Sequence, residues 1–230
     1  MRCSALRLLW PRWTPRVLGR LALLALPGGI VLTLISFNGN IPRYFIERQL
    51  GIEELGVFAA LVYPMVAGSM VINALGQSAT PRLAQNYASG DRRAFQSLLA
   101  RLVLIATALG AAGVLLIWVA GGPVLTLLYT AEYAAYVPLF LWIGIATGLG
   151  FAVSVLGYGM TAARYFRAQV PVFAATLLAT AAACFVLVPR YGLTGAAMAM
   201  AIATVVQGIG SGAVVAHALR RTKAPSAGQM

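Results

Sequence analysis

The chain alternates between long, uncharged, mostly apolar runs and short segments that carry the charges. Six runs can be traced: residues 21–42, 55–81, 102–131, 133–163, 168–189 and 191–219. A helix needs about 20 mostly apolar residues to cross a bilayer, and each run reaches that length. A helix satisfies its own backbone in hydrocarbon, and the runs lack the alternating polarity of membrane strands. The pattern therefore predicts an all-α, integral membrane bundle of six transmembrane helices.

The composition supports the same class of protein. Hydrophobic residues make up 60% of the chain, charged residues only 10%, and the mean hydropathy is +0.85. A soluble domain carries about 25% charged residues, so we expect the lipid bilayer as a partner of this chain. The net charge of +12 does not favour nucleic-acid binding, because the basic residues lie between apolar spans, where they set topology.

The distribution of Lys and Arg predicts how the bundle is oriented. We number the segments outside the spans from the N-terminus. The odd-numbered segments hold 14 of the 17 basic residues, and the even-numbered segments hold the other three, Arg43, Arg48 and Arg190. Cytoplasmic loops carry an excess of Lys and Arg. The odd segments are therefore predicted to be cytoplasmic, with both termini inside.

The chain divides into three parts on the same evidence. Residues 1–20 are basic and include Trp10 and Trp13, which is typical of a cytoplasmic segment at the membrane interface. Residues 21–221 form the transmembrane lobe, and residues 222–230 are expected to be a disordered cytoplasmic tail. The basic N-terminus is not expected to be a cleavable signal, because the run after it contains Pro27 and lacks a small-residue cleavage motif.

One stretch, residues 37–56, gathers three of the five acidic residues together with Arg43 and Arg48. It is predicted to be the first outside loop. One interpretation is a solvated loop with aromatic residues at the interface. The other is a segment facing a water-filled cavity or a protein neighbour, in which Arg43, Glu47 and Arg48 contact a substrate.

A few polar residues fall inside the predicted spans. Asn73 and Gln77 are four residues apart in the second span, on one helix face, and Gln207 lies in the middle of the sixth. Polar groups at membrane depth face the bundle or a cavity. Hydrogen bonds that join helices explain them equally well.

Small residues and prolines interrupt the apolar runs. The third run is expected to break near Gly121-Gly122-Pro123, and Gly144 with Gly148 is spaced for close helix packing.

Residues suited to catalysis are scarce. The chain has one histidine, His217, and two widely separated cysteines, Cys3 and Cys184. No metalloprotease, hydrolase or phosphate-loop motif occurs in the sequence. We therefore expect no enzyme activity, no catalytic residue, no metal site and no cofactor.

Several segments together resemble one known family. They are ALGQSATPRLAQNYASGDRRAF (74–95), IPRYFIERQLGIEELGVFAALVY (41–63), VLTLLYTAEYAAYVPLF (124–140) and LVPRYGLTGAAMAMAIA (187–203). In order and spacing these resemble the carboxy-terminal lobe of Wzx-like polysaccharide flippases of the multidrug/oligosaccharidyl-lipid/polysaccharide exporter superfamily. The segment 41–63 resembles the end of that lobe's first helix and the start of its second.

The resemblance implies transport without covalent chemistry. Its expected substrate is a polyprenyl-diphosphate-linked glycan, such as an O-antigen repeat unit, moved by alternating access across the bacterial inner membrane during lipopolysaccharide or other polysaccharide biosynthesis. Arginines in the central cavity would neutralise the diphosphate. The residues expected to bind substrate are Arg43, Glu47, Arg48, Arg82, Arg164, Asn73, Gln77 and Gln207.

The resemblance covers one lobe of a family whose members have two. The chain is therefore expected to be a half or truncated transporter, or to pair with a second six-helix lobe or a second copy. Two alternatives are a drug/cation antiporter of the same superfamily, which needs a membrane-buried carboxylate, and a non-transporting partner in a polysaccharide assembly complex. A membrane enzyme of glycan transfer fits the sequence least.

Overall fold

In the computed structural model, residues 15–221 are described, and they form helices joined by short connections. The helices are α1 (Pro15–Leu50), α2 (Ile52–Ala88), α3 (Arg92–Leu128), a 3-10 helix (Ala131–Tyr136), α4 (Val137–Ala162) and α5 (Phe166–Arg221). Within the described residues, four stretches are long and apolar enough to cross a membrane: Ile52–Ala88, Arg92–Leu128, Ala131–Ala162 and Phe166–Leu219. The predicted all-α class is confirmed. Most of the expected interfacial segment and the expected tail lie outside the described residues.

The long helix α5 folds back on itself at Gly192. The backbone there is non-helical, with φ 58° and ψ −136°. A Cβ atom on Gly210 would lie 2.9 Å from the Val172 side chain, although residues 172 and 210 would be about 57 Å apart in a straight helix. The two arms, residues 166–191 and 193–221, are therefore antiparallel, and the turn lies two residues after Arg190, which separates the last two predicted runs.

The expected loop over residues 37–56 is helical apart from Gly51. Helix α1 continues to Leu50 and α2 begins at Ile52, because Gly51 adopts φ 101° and reverses the chain in one residue. Arg48 occupies the last turn of α1, and two glutamates, Glu53 and Glu54, occupy the first turn of α2. These three charges complement the helix dipoles, whereas Glu47, which also lies in the last turn of α1, does not.

Helix α3 bends where the sequence predicted a break. Ala120 has non-helical angles of φ −125° and ψ 15°, and Pro123 follows within the helix. A proline inside a helix removes one backbone hydrogen bond and clashes with the preceding turn. The prediction of an interruption near Gly121-Gly122-Pro123 is confirmed.

Helices α3 and α4 cross closely at two glycines. A Cβ on Gly110 would lie 2.7 Å from the Gly148 carbonyl oxygen, and a Cβ on Gly148 would lie 3.1 Å from that of Gly110. Gly144 faces Ile117 on the same pair of helices. The predicted packing role of Gly144 and Gly148 is therefore confirmed.

The bundle has two ends, which we name after one residue each. The Gly51 end contains Gly51, residues 129–136 and Gly192, and the Arg164 end contains residues 89–91 and 163–165. Six arginines whose side chains are described lie toward the Arg164 end, with Asp91: Arg82, Arg92, Arg93, Arg101, Arg164 and Arg167. The helical hairpins therefore bring the two basic internal segments, around residues 82–101 and 164–167, to one end.

Two apolar cores fill the bundle, one near each end. The Gly51-end core includes Ile46, Phe58, Leu61, Leu125, Phe140, Ile143, Cys184 and Val188. The Arg164-end core includes Ile72, Leu83, Phe95, Leu99, Phe151, Val155, Met160 and Val215. At the Gly51 end, the Tyr129 hydroxyl donates a 2.7 Å hydrogen bond to the Ala60 carbonyl, and burial raises the pKa of this phenol above its usual value.

Candidate functional site: an uncharged polar cavity

A cavity of about 570 Å³ lies among α1, α2, α4 and both arms of α5. Its volume falls within the range of about 300–1,000 Å³ that is typical of small-molecule sites. The residues that line it are Gly28, Val31, Leu32, Ile35, Asn38, Asn73, Ser154, Gly157, Tyr158, Thr161, Phe166, Gln169, Phe173 and Gln207. The cavity therefore combines apolar walls with a small set of polar groups.

Helix α1 forms one wall and is fastened to the first arm of α5. The Thr180 hydroxyl, which is buried, donates to the side-chain carbonyl of Asn38. Asn38 also lines the cavity, with Val31 and Ile35 on the preceding turns. The contact holds α1 against α5 at the end of the cavity that is nearer to the Gly51 end.

Helices α2 and α4 meet in the cavity through Asn73 and Tyr158. The Tyr158 hydroxyl donates a 3.2 Å hydrogen bond to Asn73 Oδ1. A side chain on Gly76 would overlap the Tyr158 ring, so the glycine provides the space that the phenol occupies. Asn73 itself is exposed, which leaves its amide open to a ligand or a neighbouring protein.

Buried polar contacts order the part of the cavity near the Arg164 end. Gln169 is only 4% exposed, and its Nε2 donates a 3.2 Å hydrogen bond to the Thr161 hydroxyl. That hydroxyl donates to the Gly157 carbonyl at 3.0 Å. Two aromatic residues of the first arm, Phe166 and Phe173, flank this network.

Among the described residues that line the cavity, the polar groups are all neutral. They are the amides of Asn38, Asn73, Gln169 and Gln207 and the hydroxyls of Ser154, Tyr158 and Thr161. Amides and hydroxyls both donate and accept hydrogen bonds. Within residues 15–221, no three metal-binding side chains come together. The arrangement therefore suits an uncharged ligand rich in hydrogen-bonding groups.

Comparisons with known proteins add one relative. The chain is 28% identical over 185 residues to the capsular polysaccharide biosynthesis protein CapF of Staphylococcus aureus. The chain is similar to a polysaccharide biosynthesis protein. The match covers 78% of the chain and 46% of CapF, so the chain spans about half the length of this relative. No family model and no solved structure matches the chain. The similarity and the apolar helices support a polysaccharide-related membrane protein.

Two of the residues predicted from the sequence line the cavity. They are Asn73 and Gln207, the first at the contact with Tyr158 and the second on the second arm of α5. The structure brings them together although they are far apart in sequence. Gln77, one turn after Asn73, is exposed and does not line the cavity.

The predicted charged residues lie at the ends of the bundle, outside the cavity. Arg43, Glu47 and Arg48 are exposed on the last turns of α1, beyond Asn38, the last α1 residue of the cavity. They lie apart from Asn73 and Gln207, because α1 carries them toward the Gly51 end, and their expected contact with substrate stays a prediction. No arginine lies among the described residues that line the cavity, so the cavity arginines that the resemblance led us to expect are not found there.

Arg82 and Arg164 are also exposed, at the opposite end. Arg164 lies between two cavity residues in sequence, Thr161 and Phe166, and its backbone N–H donates a 3.0 Å hydrogen bond to the Thr161 carbonyl. It therefore stands next to the rim of the cavity.

The sequence reasoning missed several cavity residues on α4. Ser154, Tyr158 and Thr161 line the cavity, and they follow the i, i+4, i+7 spacing of a single helix face. This polar stripe within an apolar run was the signal that was available. Gln169 was missed because it lies near the start of its run, where a polar residue is ordinary.

Proposed function

We propose that the chain is one lobe of a bacterial flippase that moves polyprenyl-diphosphate-linked oligosaccharides from the cytoplasmic to the outer leaflet by alternating access. The observation that carries the proposal is a cavity with apolar walls and a small set of neutral polar groups, inside an apolar helical bundle. The similarity to a capsular polysaccharide biosynthesis protein supports a glycan as cargo.

In this proposal six helical segments cross the inner membrane: α1, α2, α3, α4 with its preceding 3-10 helix, and the two arms of α5. The Arg164 end faces the cytoplasm, because six of the nine arginines whose side chains are described lie there and cytoplasmic loops carry an excess of Lys and Arg. Both termini are then cytoplasmic.

The cavity is incomplete within this chain. Two of its polar lining residues, Asn73 and Ser154, are exposed, and polar groups at membrane depth face a protein neighbour or water more favourably than lipid. The match to CapF covers 46% of that protein. A second six-helix lobe, or a second copy of the chain, would close the cavity on its open side.

The proposed activity breaks no covalent bond, so the protein is not an enzyme. Arginines at the Arg164 end, among them Arg164 and Arg82, would bind the diphosphate, since a guanidinium offers paired donors to phosphate oxygens. The polyprenyl tail would remain in the bilayer between the lobes.

One other function is favoured by a specific observation. The half-length match to CapF also suits a non-transporting partner in a polysaccharide assembly complex. A cation antiporter is disfavoured, because Glu47, Glu53, Glu54, Asp91 and Glu132 lie near helix ends and not in the middle of a span.

The proposal is tested by lipid flipping in vesicles. The full chain, together with the membrane protein that co-purifies with it, is reconstituted with a fluorescent polyprenyl-diphosphate-linked oligosaccharide, and the label exposed outside is quenched by a membrane-impermeant reductant. We expect the protein to make the inner-leaflet label accessible. The double variant Asn73→Leu/Gln207→Leu should slow flipping at least about tenfold, because each substitution removes one hydrogen bond to the cargo. The control Gln77→Leu should leave the flipping rate unchanged.

Two outcomes argue against the proposal. If the reconstituted protein binds the lipid-linked oligosaccharide but never exposes the inner-leaflet label, the chain is a non-transporting partner. If it neither binds nor flips the lipid, a glycan carrier role is wrong.

A further inference from the structure

The described lining of the cavity is uncharged, whereas arginines lie at its rim. Resting on the proposed function, we propose that the cavity binds the uncharged sugar rings of the lipid-linked glycan, while the diphosphate stays outside it, at the arginines of the Arg164 end.

The first support is the absence of charge from the described cavity lining. Moving an anionic diphosphate into a membrane-embedded site without an opposite charge is costly, because the group loses its hydration without gaining a partner. The charged side chains closest to the rim in sequence are Arg164 and Arg167, on either side of Phe166, and both are exposed. A diphosphate is therefore held more favourably at the rim than inside.

The second support is the kind of polar groups in the lining. Sugar hydroxyls donate and accept hydrogen bonds, and so do the amides of Asn73 and Gln207 and the hydroxyl of Ser154. Two further groups, Tyr158 and Gln169, are already held by hydrogen bonds to Asn73 and Thr161. Groups fixed in advance lose little entropy when a ligand binds.

The third support is the set of aromatic side chains. Phe166, Phe173 and Tyr158 line the cavity, and their flat apolar surfaces suit the C–H faces of a sugar ring. Binding pockets commonly combine aromatic walls with a few convergent polar groups.

The fourth support is the position of these residues along α5. Phe166, Gln169 and Phe173 follow one another into the cavity from the Arg164 end. The rise along the helix from Phe166, two residues after Arg164, to Phe173 is about 10 Å at 1.5 Å per residue. An oligosaccharide whose diphosphate lies at Arg164 would therefore extend past all three side chains.

The test compares two lipids that differ only in the sugar. Binding of fluorescent polyprenyl diphosphate, with and without a linked N-acetylhexosamine disaccharide, is titrated against the full chain in lipid nanodiscs, together with the membrane protein that co-purifies with it. We expect the sugar to increase affinity. Asn73→Leu and Gln207→Leu should each reduce affinity for the sugar-bearing lipid by about 3- to 10-fold, the loss of roughly one hydrogen bond, and leave the sugar-free lipid unchanged.

Two further variants distinguish diphosphate binding at the rim from sugar binding in the cavity. Arg164→Gln should weaken binding of both lipids by the same factor, because both carry the diphosphate. Gln77→Leu, on the same helix as Asn73 but outside the cavity, should change neither. Size-exclusion profiles and melting midpoints identify variants that fail to fold, and competition by the free disaccharide against the wild-type chain gives a measurement independent of any variant.

The outcomes distinguish this inference from the proposed function. The inference is overturned if the wild type binds both lipids with equal affinity. It is also overturned if the cavity variants lose the same factor of affinity for both lipids. Either result leaves the flippase proposal standing. If neither lipid binds the wild type, both are wrong.

Discussion

At the residue scale, Arg164 has an unusual backbone conformation. Its φ of 60° is the one positive value at a non-glycine among the described residues. The Arg164 N–H donates to the Thr161 carbonyl and the Tyr165 N–H to the Met160 carbonyl, both at 3.0 Å. This pair of bonds ends α4 in a Schellman motif, with arginine at the position where glycine is usual. In the proposed function, arginine is kept at this strained position because its side chain binds the diphosphate at the cavity rim.

Replacing Arg164 by glycine tests that interpretation. Glycine adopts the left-handed conformation without strain, so Arg164→Gly should leave the protein equally stable or up to about 1 kcal/mol more stable. Flipping of the lipid-linked oligosaccharide should nevertheless fall, since the cation at the rim is lost. Thermal melting in detergent and the vesicle assay measure the two effects.

The matched control is Arg93→Gly, at an exposed arginine in the first turn of α3 at the same end of the bundle. Because a helical glycine costs up to about 1 kcal/mol, this variant should be less stable than the wild type. Loss of stability in Arg164→Gly as large as that in Arg93→Gly would show that the left-handed backbone does not carry strain.

At the scale of elements, the turn at Gly192 determines how α5 packs. Its φ of 58° and ψ of −136° lie in a region that glycine alone tolerates well. Next to it, the backbone of Gly195 packs against the Leu187 carbonyl. The turn lets the two arms pair, which places Gln169 and Gln207 in one cavity.

Adding a methyl group to Gly192 is expected to lower the stability of the fold. Gly192→Ala should destabilise the fold by about 1–3 kcal/mol, because alanine is strained at these angles. Gly113→Ala is the matched control: Gly113 lies inside α3 with open space around it, and alanine there should be neutral or slightly stabilising. If melting shows both variants equally stable, the turn is not held by glycine as the structure indicates.

The sequence predicted the positions of the helices more accurately than it predicted which residues of each helix face the cavity. Long uncharged runs predicted the helical segments, and Pro123 predicted the bend in α3, because spans and breaks are local properties. The stretch around Gly51 was expected to be a loop because its charges suggested solvent, whereas it forms two helix ends, which Arg48, Glu53 and Glu54 complement. Tyr158 and Gln169 escaped notice because a cavity depends on which helices meet.

At the scale of the whole molecule, charge is distributed unevenly between the two ends. The described side chains near the Gly51 end include Arg43, Arg48 and Arg190 with four glutamates, whereas the Arg164 end carries six arginines and Asp91. The cavity lies beside the core of the basic end. In the proposed orientation it therefore lies on the cytoplasmic side, where the lipid-linked glycan would enter.

The measurement that tests the central claim most directly is labelling of single cysteines in intact cells. Cys3 and Cys184 are replaced, and a cysteine is placed at Ser89, at the Arg164 end, or at Thr130, at the Gly51 end; both positions are exposed. A membrane-impermeant maleimide should label Thr130→Cys in intact cells and Ser89→Cys only after permeabilisation. Labelling of Ser89→Cys in intact cells, with Thr130→Cys protected, would contradict the orientation and the direction of transport.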